Sequence, residues 1–215
     1  MKIHFISILI ILLSTIFLSC TVKYADLSHE NVDVLNREII SSSSNSSNEL
    51  ILNGKEGAGL AILKNLDWNT GTIELELKGE DNPGRSFIGL AFNIQNDSTY
   101  EAIYFRPFNF QSDEQIRREH SVQYINHPKQ DWRYLRTNFA GQYEAEFPRK
   151  PSPENWFSIK IKIDQNTVSV YDQNSKTELL SVTRLGKQVL DKIGLWTGHN
   201  SKGEFRNLKI YNTAQ

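Results

Sequence analysis

The chain of 215 residues carries 24 lysines and arginines against 25 aspartates and glutamates, a formal net charge of -1. No basic block stands out, and Arg117-Arg118 is flanked by Glu114 and Glu119 in the manner of a solvated turn, so no nucleic acid partner is expected. Cys20 is the single cysteine, so no disulfide within the chain can support the fold.

Residues 1–20 have the layout of a secretory signal. Lys2 gives a short basic start, residues 5–18 (FISILIILLSTIFL) are almost wholly apolar, and Ser19-Cys20 closes the segment. The apolar run is too short for a comfortable membrane span. Leu18-Ser19-Cys20 resembles the end of a bacterial lipobox, with Phe17 standing where leucine is usual. That resemblance implies lipid attachment at Cys20 and a membrane-anchored protein of the bacterial cell envelope, periplasmic or surface-exposed. An ordinary secreted protein with one unpaired thiol is the plainer alternative. Loss of residues 1–20 removes one lysine and no acid, leaving 23 basic against 25 acidic residues, a net charge of -2.

Residues 21–48 are expected to form a tether that contains a first strand within YADLSHENVDVLNREII and ends in the serine-rich run SSSSNSSN. The folded part is expected to start near residue 28, with the main domain at 49–215. From residue 49 the runs ELILN, GLAILK, GTIELELKG, SFIGLAFNI, YEAIYFR, SVQYIN, QYEAEF, WFSIKIKI, TVSVYD, LLSVTRL, KIGLWTG and FRNLKIYN are separated by turns such as Asp81-Asn82-Pro83-Gly84. This spacing predicts an all-β, two-sheet sandwich. Single helical turns are expected near 113–118 and 187–190.

Alternation assigns the faces. In WFSIKIKI, Phe157, Ile159, Ile161 and Ile163 share one face, while Ser158, Lys160 and Lys162 share the other, which must meet water. SFIGLAFNI differs. Ile88, Leu90, Phe92 and Ile94 form its apolar face, and Phe87, Gly89, Ala91 and Asn93 form an opposite face that is small at its centre. Glycine inside a strand often marks a close approach by a ligand or another backbone. In YEAIYFR, Ile103 and Phe105 point to the core, and Ala102, Tyr104 and Arg106 point away; in KIGLWTG, Trp196 points away, and Gln123 joins the set if SVQYI is oriented alike. A small floor with rings and a planar donor at its edges suits a sugar. Asn109 and Trp132, in the loops that follow, are candidates for the wall. In the alternative reading Tyr104 and Trp196 pack under a loop and Arg106 pairs with Glu101 or Asp113.

The order of GTIELELKG, SFIGLAF, YEAIYFRPFNF, SVQYI, the tryptophan before FSIKIKI, IGLWTG and GEFRNLKI resembles the concanavalin A-like lectin/glucanase superfamily. Within it, the aromatic strand ending in arginine and the V-Q-Y strand are similar to 3-keto-disaccharide hydrolase-type domains. The resemblance implies an antiparallel jelly roll with carbohydrate on the concave sheet, and it matches Arg106 and Gln123 to the arginine and glutamine of the hydrolase-type pattern; with the strand faces and the loops that follow, the expected contacts are Tyr104, Arg106, Asn109, Gln123, Trp132 and Trp196. It implies less about catalysis. Ser121 stands where the hydrolase-type pattern has an acid, and the E-x-D-x-x-E string of family 16 glycoside hydrolases is absent from the sequence.

Retaining glycosidases need two carboxyl groups about 5 Å apart. The candidate pairs are Glu74 with Glu76, on what reads as a solvated strand, and Glu144 with Glu146. The five histidines lack ligand spacing, so no metal or cofactor is expected. The expected function is therefore carbohydrate binding by a lipid-anchored domain. Glycoside hydrolysis is the alternative if the protein is an enzyme, and a structural or protein-binding surface is the third reading.

Overall fold

A computed structural model describes residues 22–40, 48–66, 68, 70–190 and 192–212, so the expected signal, Cys20 and residues 41–47 of the serine run lie outside the described residues. Two seven-stranded antiparallel sheets make up the fold. The first contains β1 (Val22–Tyr24), β3 (Glu49–Leu52), β5 (Gly71–Lys78), β10 (Phe157–Ile163), β11 (Thr167–Asp172), β12 (Glu178–Thr183) and β14 (Gly203–Asn212), in the order β1-β14-β5-β10-β11-β12 with β3 also on β14. The second contains β2 (Val32–Leu35), β4 (Gly59–Leu63), β6 (Ile88–Phe92), β7 (Tyr100–Phe105), β8 (Val122–His127), β9 (Glu144–Ala145) and β13 (Ile193–Thr197), in the order β2-β4-β13-β6-β7-β8-β9. The chain passes repeatedly between the sheets, which makes the sandwich a jelly roll. The segment expected to hold a tether and a first strand contributes two strands, one to each sheet: β1 pairs with β14, and β2 pairs with β4.

The hydrophobic pattern dictates the layering. In the first sheet Ile73, Leu75 and Leu77 stand opposite Ile161, Ile159 and Phe157, and all six are buried. Phe157 meets Phe105 of the second sheet edge-on at 5.3 Å, so these two strands present their apolar faces to each other. Each such side chain withdrawn from water contributes about 1.5–3 kcal/mol. The outer face of the first sheet is a charged ladder in which Lys160 pairs with Glu74 at 3.1 Å and Arg206 with Glu76 at 2.6 Å. Lys160 and Lys162 thus face outward, as their alternation predicts.

A charged cluster sits between the sheets. Glu101 shares the inward parity of Ile103 and Phe105 and is completely buried. Arg184, just after β12, donates through Nε to Glu101 Oε2 at 3.2 Å and through Nη2 to Oε1. Tyr124 Oη donates to the same carboxylate at 2.6 Å, and Asn93 Nδ2 donates at 2.9 Å. Burial, followed by the Glu101 charge, pushes the Tyr124 phenol well above its ordinary pKa. Asn93 therefore does not extend the open face of β6 as alternation suggested. Its φ of 51° lies in the left-handed region, which ends the strand at Phe92 and turns the amide inward.

Helical expectations are corrected in part. Gln115–Arg118 forms the short helix α1, but residues 187–190 are not helical. QYEAEF retains only β9 as strand. Before it, Trp132–Asn138 forms a helix, α2, that the periodicity did not predict; Asp131 caps it by accepting from the Tyr134 amide at 2.8 Å.

Candidate functional site

Because Phe105 points to the core, Tyr104 projects from the outer face of the second sheet. The registers align Trp196, Gly89, Tyr104, Gln123 and Glu144 directly opposite one another across β13, β6, β7, β8 and β9. The adjacent row, Gly194, Ala91, Ala102 and Ile125, is small over most of its length. The glycine at 89 is required by close approach. A Cβ there would lie 2.0 Å from the Ile103 carbonyl oxygen and 2.6 Å from Tyr104 Cα.

Rings crowd above this floor. Trp196 lies 4.9 Å from Tyr104, and its indole N–H donates to Tyr100 Oη at 3.0 Å. Phe87 meets Tyr104 edge-on at 6.1 Å, and Tyr100 stacks on His127 at 5.2 Å. These contacts bury Tyr104 and Trp196, so the row is filled by its own side chains rather than left as an empty groove.

Arg106 retains 6% exposure at the end of this row. It donates through Nη1 to the His120 carbonyl at 2.6 Å and through Nη2 to Tyr104 Oη at 2.6 Å and Gln123 Oε1 at 3.3 Å. The guanidinium carbon lies 4.8 Å from the centre of the Tyr104 ring. Among the described residues no carboxylate pairs with Arg106, so the expected alternatives Glu101 and Asp113 are both excluded as its partners; Glu101 belongs to Arg184. Burial disfavours the Arg106 cation and the nearby Arg136 charge acts in the same direction, while Tyr104 and the Glu144 carboxylate oppose them. Burial likewise raises the Tyr104 phenol.

Glu144 closes the row. Arg136 of α2 donates to it from Nε at 3.1 Å and from Nη2 at 2.7 Å. His120 Nδ1 approaches Glu144 Oε2 to 3.1 Å, near enough for charge to matter but without hydrogen-bond alignment. Burial lowers the His120 pKa, and Glu144 opposes that effect. Arg136 also lies 5.0 Å from the centre of the Trp132 ring, and Arg133 lies 5.1 Å from it. Trp132 is 37% exposed and Tyr134 is 44% exposed.

Of the six expected contact residues, Tyr104, Gln123 and Trp196 therefore share one row, and Arg106 bonds two of them. Trp132 joins through Arg136 and Glu144. Asn109 is buried in the turn Pro107–Asn109, where its amide donates to the Arg106 carbonyl at 2.9 Å. His120 and Arg136 escaped the sequence reading, since only the register brings them beside Glu144. Glu146 is held by Arg118 at 3.0 Å, so each glutamate of the two candidate pairs is engaged by a cation. Among the described residues no group of three histidine, cysteine or acidic side chains is arranged to hold a metal.

No family model matches the sequence. No curated protein matches it either. Among solved structures, the carbohydrate binding module CBM66 from Bacillus subtilis is similar, with a TM-score of 0.55 at 12% identity over 84% of this chain and 95% of that one. The exoplasmic/lumenal domain of VIP36, in a Ca2+/Man3GlcNAc-bound form, gives a TM-score of 0.58 at 9% identity over 89% of this chain and 88% of that one. A Bacillus subtilis protein of unknown function with a galectin-like fold gives 0.55 at 13% identity over 88% and 98%. The fold is that of the concanavalin A-like lectins and glucanases. At these identities the likeness concerns the arrangement of strands, and the side chains of the outer row are this chain's own.

Proposed function

We propose that the protein is an exported, lipid-anchored domain that binds carbohydrate on the outer face of its second sheet. The observation that carries this reading is the single register row from Trp196 to Glu144, with rings, amide and carboxylate over a glycine floor and an exposed indole, Trp132, at its rim. The similar solved structures include a carbohydrate binding module and the exoplasmic/lumenal domain of VIP36 in a Man3GlcNAc-bound form, which supports the choice of ligand class. In this reading the buried rings fix the platform, while Trp132, Arg136 and the open edge of Arg106 meet the sugar. Hydrolysis gains no support from the four candidate glutamates, each of which is paired with a cation. Cys20 is the proposed lipid attachment, with export to the cell envelope.

The test is titration with a glycan panel followed by tryptophan fluorescence. A saturable change is expected, weakened about tenfold by Trp132→Ala, which is the loss of 1.4 kcal/mol that a modest aromatic contact supplies. Release of reducing ends from a bound polymer would instead establish an enzyme. Absence of any glycan-dependent change would end the binding proposal.

A further inference from the structure

Among the described residues the sandwich buries three arginines, Arg37, Arg106 and Arg184, and supplies a carboxylate only to Arg184; Arg37 is held by neutral acceptors at Nε, Nη1 and Nη2 alike. Arg184 is neutralised by Glu101, whereas Arg106 has three neutral acceptors: a carbonyl, a phenol and an amide oxygen. Withdrawing a cation from water without an ionic partner is expensive. The surroundings of Arg106 add to the imbalance. Arg136 and the exposed Arg133 stand at the same rim, and the carboxylate that faces them, Glu144, is already shared by Arg136 and His120. Glu119, beside His120 in the chain, accepts from Gln115 at 2.8 Å. The three hydrogen bonds of Arg106 all leave from its Nη atoms, so among the described residues its Nε–H is uncommitted.

We infer that the sugar taken by this face carries an anionic oxygen group, a carboxylate or a sulfate ester, which docks at the rim between Arg106, Arg133 and Arg136. The inference rests on the carbohydrate reading above and narrows it to acidic glycans. A planar guanidinium presents N–H groups that match the spacing of paired anionic oxygens, and charge-assisted bonds of this type are roughly twice as strong as neutral ones. An anion here would compensate Arg106 and separate it from Arg136. A neutral sugar would do neither.

The experiment compares polygalacturonate with its fully methyl-esterified, uncharged counterpart, and dextran sulfate with dextran, each titrated against the full chain at low and high salt. At least one acidic polymer should bind about tenfold tighter than its neutral partner, equivalent to one charge-assisted contact of about 1.4 kcal/mol, with the preference shrinking as salt rises. Arg133→Gln, an exposed change that leaves the buried bonds intact, should reduce that preference severalfold. Lys160→Gln, on the outer face of the first sheet, should leave it unchanged and so exclude general polyanion attraction. Arg106→Lys keeps the charge but removes the planar donor, and should lose most of the preference while thermal unfolding reports whether the variant is folded. The better-bound acidic polymer identifies carboxylate or sulfate as the source. Equal binding of an acidic polymer and its neutral partner would overturn the inference while the carbohydrate reading stands. Equal loss in Lys160→Gln and Arg133→Gln would also overturn it. Failure of all four polymers and of the neutral glycan panel would remove both.

Discussion

Arg184 and Arg106 are buried to nearly the same depth, 7% and 6% exposed, yet they are compensated in opposite ways. Arg184 joins a closed cluster whose carboxylate accepts from Arg184, Tyr124 and Asn93. It ties the end of β12 in one sheet to β7 in the other. Arg106 sits on the outer face bonded only to neutral acceptors, with the Arg136 guanidinium and its partner Glu144 nearby. Arg37, also 6% exposed and without a carboxylate among the described residues, commits Nε, Nη1 and Nη2 to acceptors of the fold, whereas Arg106 leaves its Nε–H for something outside it.

The largest effect expected from this contrast is that of Arg184→Met. Glu101 would be left buried without its cation, at a cost of about 3–5 kcal/mol in a urea titration. A loss below about 1 kcal/mol would mean that the cluster is not a clamp between the sheets. Arg106→Gln should cost less, about 1–3 kcal/mol, because it strands acceptors but no carboxylate. The same variant should lose ligand binding, which Arg184→Met should keep wherever it remains folded. A stability loss as large as that of Arg184→Met would remove the distinction between the two centres.

The smallest effect belongs to the solvated ladder. Lys160 pairs with Glu74 while its side chain remains 35% exposed, and Lys162 is exposed. Changing both to glutamate should alter unfolding free energy by less than about 1 kcal/mol, as expected for surface pairs screened by water. A larger loss would show that a face taken as solvated carries load.

Much of this architecture can be read from alternation. WFSIKIKI and YEAIYFR repeat every two residues, so once Phe157 and Phe105 are assigned to the core, the outward direction of Lys160, Tyr104 and Arg106 follows. The parity that places Ile103 and Phe105 inside also places Glu101 there, and a lone glutamate at a core position signals a buried pair. Its partner is not legible, because Arg184 lies 83 residues away and only the meeting of the sheets brings it near. Register is hidden for the same reason. Nothing in QYEAEF reveals that Glu144 faces Gln123, or that His120 and Arg136 converge on it. The seven residues of α2 show too little helical period to stand out, although Asp131 supplies a cap. Parity also tells which way a ring points but not how deeply its neighbours cover it, and that is why an open groove was expected where Tyr104 and Trp196 fill the space.

The pairing of β1 with β14 has a mechanical consequence for the proposed anchor. Val22 is already paired in the first sheet opposite Tyr211, and two steps of chain, from position 20 to 22, reach at most about 7 Å. A lipid on Cys20 would therefore hold that edge of the sandwich almost against the bilayer, with no slack for the domain to tumble. The orientation of the second sheet's outer face relative to the membrane would then be set by the fold itself.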